Sequence, residues 1–365
     1  FGLPTRDEKN AIFSYHFYRL MYRAKNVYIL YDGQGDGLGG GEMSRFVRQW
    51  AYQLPEKHRM QFFSQKVIIN TVTKEPLQIP KTPSLIKRLQ EMAHKGLSAT
   101  ALSNYISDPI RFYNNYVLRI SESDELEESI THRTLGTVIH NALEELYKPY
   151  VGKQLTVENL EKMESTHQQT LQQHFEDKLG KSSQKTGKNM LLFTAAAHSI
   201  KRVLGADKKD ISAGSTIELL GLEEYRKVTR TYAGIEHPIT FHGVVDRIDR
   251  KDGVLRILDY KTGQTVPKEL RPSEVTDCLS DPVYGKSFQV LFYSMLWTEA
   301  EPSSTFNAGV ISVKNMSNGM MFLGLGPGRT KRTELVKDDL VSFEKALEKL
   351  VIEIYTREIA FTEAD

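Results

Sequence analysis

The chain of 365 residues contains a single cysteine, Cys278. One thiol excludes an intrachain disulfide and any centre built from several cysteines. Such usage fits a reducing compartment, so a cytoplasmic location is expected. Long apolar runs are missing too. No stretch reaches the ~20 apolar residues that a membrane-spanning helix needs, and no signal peptide is recognised ahead of the first predicted element. No membrane partner is therefore expected. A strong charge of either sign is also absent: 48 Lys and Arg face 46 Asp and Glu, for a formal net charge of +2. A nucleic-acid partner is invisible in that total, and any electrostatic footprint has to be local. The phosphate-binding pattern G-x-x-x-x-G-K-[ST] does not occur, which disfavours ATP hydrolysis by this chain alone. The chain opens on Phe1 rather than Met, and it reads as a piece of a longer protein.

What is present is globular in character: 40% of residues are hydrophobic and 26% charged. The length predicts two domains with room for a sizeable core. Residues 11–24 carry apolar side chains at helical spacing, and VYILY at 27–31 reads as a short buried strand. A glycine-rich loop follows at 32–42, then a helix over about 42–53 and a strand at 66–70. Pro76, Pro80 and Pro83 mark a linker, placed at 81–96 between a first domain, 1–80, and a second, 97–365. Ser98 is a predicted N-cap for a helix over 99–107, and Pro109 opens the next one. Residues 133–148 form an amphipathic helix, and a helix over 190–204 is expected to stop at Gly205. Three strands then follow from residue 215, a helix over 286–299, a strand pair within 306–325 and a last helix over 337–357.

The sequence is most informative around Asp252-Gly253, which lies between GVVDRID and ILDYKTG. Asp-Gly between two apolar runs predicts a hairpin with a two-residue turn. Lys251 then faces Val254, and the same register sets Asp246 opposite Asp259. Two carboxylates so placed destabilise a sheet unless something compensates, and a divalent cation would do so. Alternation along the strand puts Lys261 on the face of Asp259, with Tyr260 on the other. His140, on the 133–148 helix, shares a face with Gly136 and Glu144. Taken alone, it reads more readily as a core histidine than as a metal ligand. Gln289 and Tyr293 share a face of the 286–299 helix. Of Glu223 and Glu224 at most one can reach the site, and the register of their strand stays open.

LGTVIHNALEELY, GVVDRID, ILDYKTG and FQVLFYSML, in this order, resemble the motifs of RecB-family nucleases in the PD-(D/E)xK superfamily. The lead-in LSATALSNYISDPIRFYNNYVL is similar to the segment before the nuclease in AddB-type subunits. The resemblance implies an α/β fold with an αβββαβ core, its mixed central sheet flanked by helices. It implies a Mg2+ or Mn2+ cofactor held by His140, Asp246, Asp259 and the carbonyl of Tyr260. Lys261 matches the catalytic lysine, while Gln289 and Tyr293 match a supporting motif that contacts DNA. AddB-type nucleases often carry four cysteines around an iron–sulfur cluster. The first would fall near Asp108, and with only Cys278 present no such cluster is expected. FYRLMYRAKNVYILYD further resembles the last motif of a superfamily I helicase, with Arg23 as its arginine.

The implied activity is hydrolysis of DNA phosphodiester bonds by the nuclease part of a helicase–nuclease that processes DNA ends for recombinational repair. Exonuclease rather than endonuclease action, single-stranded or unwound DNA, and a helicase or nuclease partner subunit are expected. Tyr105, Arg111, Tyr113, Arg247 and Arg271 are candidates for guiding the strand, although Arg247 reads equally as a structural arginine. The alternative is a non-catalytic DNA-binding or scaffolding subunit of such a complex.

Overall fold

The computed structural model describes residues 5–31, 43–53, 60–63, 75–120, 131–180, 187–300, 302–313, 320–328 and 330–364. The chain divides into two compact units between Lys74 and Glu75.

In the first unit, Thr5 and Glu8 form a reciprocal capping box that starts α1 (Arg6–Met21). Phe17 of α1 stacks on Phe46 of α2 (Arg45–Gln53), with ring centroids 5.1 Å apart. The strand expected at 27–31 does not form: these residues have no regular structure, and Tyr28 and Leu30 are 86% and 92% exposed. An apolar run becomes a buried strand only beside a ladder partner, and none pairs with it among the described residues. The glycine-rich loop and the expected strand at 66–70 lie outside the described residues.

The second unit begins with β1 (Gln78–Ile79), which pairs antiparallel with the last strand, Phe361–Thr362 (β10). The expected linker at 81–96 is instead largely helix. Thr82 caps α3 (Pro83–Lys95), Pro83 sits at its start, and Leu85, Leu89 and Ala93 are buried at four-residue spacing. Proline at the first helical position favours a helix rather than a linker. Next come β2 (Leu97–Ser98), α4 (Ala99–Ser107) and α5 (Pro109–Phe112). Ser98 Oγ accepts the Ala101 N–H at 3.2 Å, and Asp108 caps α5. The amphipathic helix α6 (His132–Tyr147), β3 (Lys153–Gln154) and the long pair α7 (Val157–Leu179) and α8 (Gly187–Ser212) follow.

Helix α8 does not stop at Gly205. A mid-helix glycine costs only about 1 kcal/mol. Beyond it, Asp207 is fully buried and bonded to Tyr147 and Arg247, which holds the last turns in place.

The sheet is built on β4 (Ile217–Arg230), β5 (Ile239–Lys251) and β6 (Val254–Lys261). After α9 (Asp277–Ser280) and α10 (Gly285–Thr298), β7 (Thr305–Ser312) and β8 (Met320–Phe322) extend it. The strand order is β3-β4-β5-β6-β7-β8, with β2 parallel beside β5 and β9 (Leu335–Val336) antiparallel beside β7. β6 and β7 run parallel, so the sheet is mixed. Helix α11 (Lys337–Tyr355) completes the fold. The succession α6–β4–β5–β6–α10–β7 is the expected αβββαβ core, with α7 and α8 inserted after its first helix. One apolar cluster joins the sheet to α3, α4, α10 and α11, and a second joins it to α6, α7 and α8.

Candidate active site

The β5–β6 hairpin turns at Asp252 and Gly253, both with positive φ (51° and 84°), as a two-residue hairpin loop requires. Its ladder follows the predicted register from Lys251↔Val254 to Arg247↔Leu258 and stops there. The expected Asp246–Asp259 pair is therefore not part of it. β5 continues alongside β4 and β6 alongside β7, so the two strands part company. A carboxylate oxygen of Asp246 fills the fork, accepting the Tyr260 N–H at 2.7 Å. This fork lets side chains from helices on both sides of the sheet meet.

His140 reaches the fork from α6. Its Nε2 lies 3.0 Å from the Tyr260 carbonyl oxygen, which can only accept, so this nitrogen carries the proton. The lone pair of Nδ1 in that neutral tautomer faces Asp246 Oδ2 and Glu223 Oε1, each at 3.6 Å. Ligand atoms of His140, Glu223 and Asp246 all lie within 4.8 Å of one another. Neighbouring ligands of an octahedral Mg2+ with bonds of ~2.1 Å are about 3 Å apart, so a small contraction would close this set on a cation. Electrostatics agree. Burial, then the charges of Asp259 and Glu223, push the Asp246 carboxyl up to about 8 against the pull of His140. Burial alone would lower His140, but the hydrogen bond that the protonated ring can give Glu223 and the charges of Asp246, Glu223 and Asp259 outweigh it and raise it. Such a nest of acids lacks positive charge, and a divalent cation would supply it.

The ligand set implied by the resemblance was His140, Asp246, Asp259 and the Tyr260 carbonyl. The structure gathers His140 and Asp246 with Glu223. Asp259 instead lies 2.8 Å from Lys261 Nζ. Lys261 also donates to Gln289 Oε1 at 2.6 Å, and Gln289 Nε2 donates to the Tyr293 hydroxyl at 2.8 Å. Burial first, and Asp259 next, raise the Tyr293 phenol.

Glu223 was the open question in the sequence. The neighbouring pairs Leu222↔Arg247 and Glu224↔Val245 place it across from Asp246. Its φ of 47° is left-handed, a costly conformation for a glutamate. No local signal marks it, because the register slip in β4 between Leu219 and Gly221 decides where it falls. Two glycines inside the motif segments LGTVIHNALEELY and GVVDRID also belong to the site, although the sequence assigned them no role. A Cβ on Gly243 would stand 2.9 Å from the Tyr293 ring, and one on Gly136 3.1 Å from Thr262 Oγ1.

Two of the five strand-guiding candidates are buried. Tyr105 is 3% exposed and donates to Glu353 at 2.8 Å. Arg247, fully buried, binds Asp207 and Asp249 at 2.7 Å each and lies against the Tyr147 ring. Arg256 binds Asp249 from the next strand. An arginine one residue from Asp246 and paired with α8 is a structural clamp behind the site. Tyr113 is half-buried near Phe361, while Arg111 and Arg271 are exposed. Cys278 is buried, which pushes its thiol up to about 12.

A stretch of 183 residues, 49% of the chain, is 25% identical to an ATP-dependent helicase/deoxyribonuclease subunit of Streptococcus agalactiae serotype Ia, covering 15% of that protein. The protein of the same name from Streptococcus pyogenes serotype M6 is 25% identical over 284 residues, 72% of the chain and 23% of its own length. The chain thus spans less than a quarter of these relatives. No helix among the described residues is long and apolar enough to cross a membrane. The family model for the PD-(D/E)XK nuclease superfamily matches residues 96–365, leaving the first unit outside it. The chain, matched over most of its length and carrying the mixed sheet that the family implies, belongs to the PD-(D/E)XK nuclease superfamily.

Proposed function

We propose that the chain is a metal-dependent deoxyribonuclease acting on single-stranded or unwound DNA ends, as the nuclease part of a helicase–nuclease in recombinational repair. The observation that carries this reading is the convergence of His140, Glu223 and Asp246 beside a lysine held by Asp259 and Gln289. The names of the relatives supply the deoxyribonuclease activity, the helicase association and the partner subunit. Exonucleolytic cleavage and Mg2+ or Mn2+ as the metal belong to the same proposal. A helicase remnant in residues 1–75, with Arg23 as its arginine, is a further part of it.

His140, Glu223 and Asp246 would hold the cation, with Asp259 and the Tyr260 carbonyl beside them. A bound divalent ion polarises a phosphate oxygen and acidifies water. Lys261 holds its ammonium at a fixed point through Asp259 and Gln289. From there it stabilises the negative charge that grows on the phosphate and orients the attacking water. Tyr293, one helical turn further along α10, fixes the Gln289 amide and through it anchors the lysine. Asp246, through the Tyr260 N–H, keeps β6 aligned with β5 where the ladder has ended.

The test is cleavage of end-labelled single-stranded DNA with Mg2+ or Mn2+. The parent chain should cut only with metal, and Lys261→Ala should lose at least about 100-fold in rate. Absence of metal-dependent cleavage by the parent would leave the scaffolding alternative in its place.

A further inference from the structure

At the opposite end of β6 from the fork, a cleft of about 1040 Å³ opens between α8 and the strands β5 to β8. Its volume is at the upper end of the ~300–1,000 Å³ typical of ligand clefts. Four cations line it: Arg202, Lys209, Lys251 and Arg256. Only Asp210 and Asp252 oppose them in the lining. Asp210 is engaged by Lys251 at 2.5 Å, and Asp252 accepts the Thr216 N–H at 2.7 Å. Among the described residues neither Arg202 nor Lys209 has an ion-pair partner.

The wall on the α8 side has a definite pattern. Arg202, Gly205, Ala206 and Lys209 stand at i, i+3, i+4 and i+7, so they share one helix face. The two small residues leave bare helix between two cations, and a Cβ on Gly205 would meet nothing within 4 Å. Opposite lie Met320 and Phe322, both half-buried, forming an apolar floor. Beside them the Asn307 Oδ1 atom is buried without a hydrogen-bond partner among the described residues. Arg256, 2% exposed, gives Asp249 its Nε and Nη2, while among the described residues its Nη1 finds only the Met320 sulfur at 3.6 Å. A buried guanidinium nitrogen and a buried amide oxygen, both underused, mark a built site rather than a surface dent.

We infer that this cleft is a second nucleic-acid site, which takes a nucleotide unit of a single strand away from the scissile bond. Paired cations with a gap between them suit phosphates, and a floor of aromatic ring and thioether suits the face of a base. A free nucleotide and a nucleotide within a strand share this chemistry. The inference extends the nuclease reading but does not need its chemistry, because binding here requires neither the metal nor Lys261.

The experiment measures binding to the whole chain in EDTA, so cleavage plays no part. A fluorescent 12-nucleotide oligodeoxythymidine carrying 4-thiothymidine is titrated and then crosslinked, and the adduct is located by mass spectrometry. The cleft should yield adducts at Met320 or Phe322. Arg202→Glu with Lys209→Glu should weaken binding at least tenfold, and the loss of two phosphate contacts should flatten the salt slope by about 1.4. Both residues are exposed, so an unchanged thermal midpoint checks that the fold survives. Competition by dTMP would identify the free nucleotide as a ligand as well, and its failure would assign the cleft to strands. Adducts confined to other surfaces, or unchanged affinity in the double variant, would overturn the inference. If cleavage fails in the metal assay but these results hold, the cleft stands and the nuclease proposal falls.

Discussion

Asp246 carries the clearest residue-scale consequence. Its carboxyl stands near 8 in the folded chain, against an ordinary 3.8, through burial and then through Asp259 and Glu223. With no metal, the native state therefore holds this proton longer than the unfolded chain does. The stability it contributes is complete below about pH 4 and is lost as pH rises toward 8. The thermal midpoint of EDTA-treated protein should fall across that window, and saturating Mg2+ or Asp246→Asn should flatten the fall. A flat profile in the metal-free parent would remove the strain assigned to this carboxyl. Glu223 makes a related case. Its left-handed φ of 47° is cost-free only for glycine. Glu223→Gly should leave the thermal midpoint within about 3 °C of the parent, yet weaken Mg2+ or Mn2+ binding in calorimetric titration at least tenfold. Equal affinity would remove Glu223 from the cation site.

At the scale of elements, the site depends on how closely a strand and a helix approach. Gly243 of β5 lets the Tyr293 ring of α10 lie against the strand, and the ring then fixes Gln289 and, through it, Lys261. A methyl group there would stand 2.9 Å from the ring. Gly243→Ala should lower the cleavage rate about 100-fold, the size of effect that a shift of ~1 Å in a catalytic group produces. Tyr293→Phe should be milder, because the ring stays where it is. Steady-state kinetics on labelled DNA separates the two, and equal rates for Gly243→Ala and the parent would refute the coupling. The elements themselves were largely legible. Period-two and helical spacing located β4 to β6, α6, α10 and α11 to within a few residues, and the Asp-Gly turn set the hairpin register. What failed did so for tertiary reasons. Residues 27–31 are apolar enough for a strand but have no ladder partner among the described residues. Gly205 looks like a stop, yet Asp207 is tied down beyond it. Pro83 reads as a linker residue and in fact opens α3.

The whole chain consists of two units, and the family match begins at residue 96, within the second. Both apolar clusters that hold the sheet belong to residues after Glu75. Its ends are tied by β1 against β10, and α3 packs Leu85, Leu89 and Ala93 into the core. Residues 75–365 should therefore melt in one cooperative transition, followed by circular dichroism. Removal of the chain through Lys95 should abolish that transition, since it uncovers the apolar surface beneath α3. A sloping, non-cooperative melt of residues 75–365 would show instead that the first unit supports the fold. The sequence by itself determined the hairpin and the face shared by Asp259 and Lys261, which follow from local spacing and turn chemistry; His140, Gln289 and Tyr293 were singled out only by the order of motifs that the family resemblance rests on. Only the tertiary structure decided that Asp246 and Asp259 do not pair, that Glu223 joins His140, and that Arg247 is a buried clamp. Each of those depends on where the β5–β6 ladder ends and where β4 slips its register, which is settled by packing between distant segments.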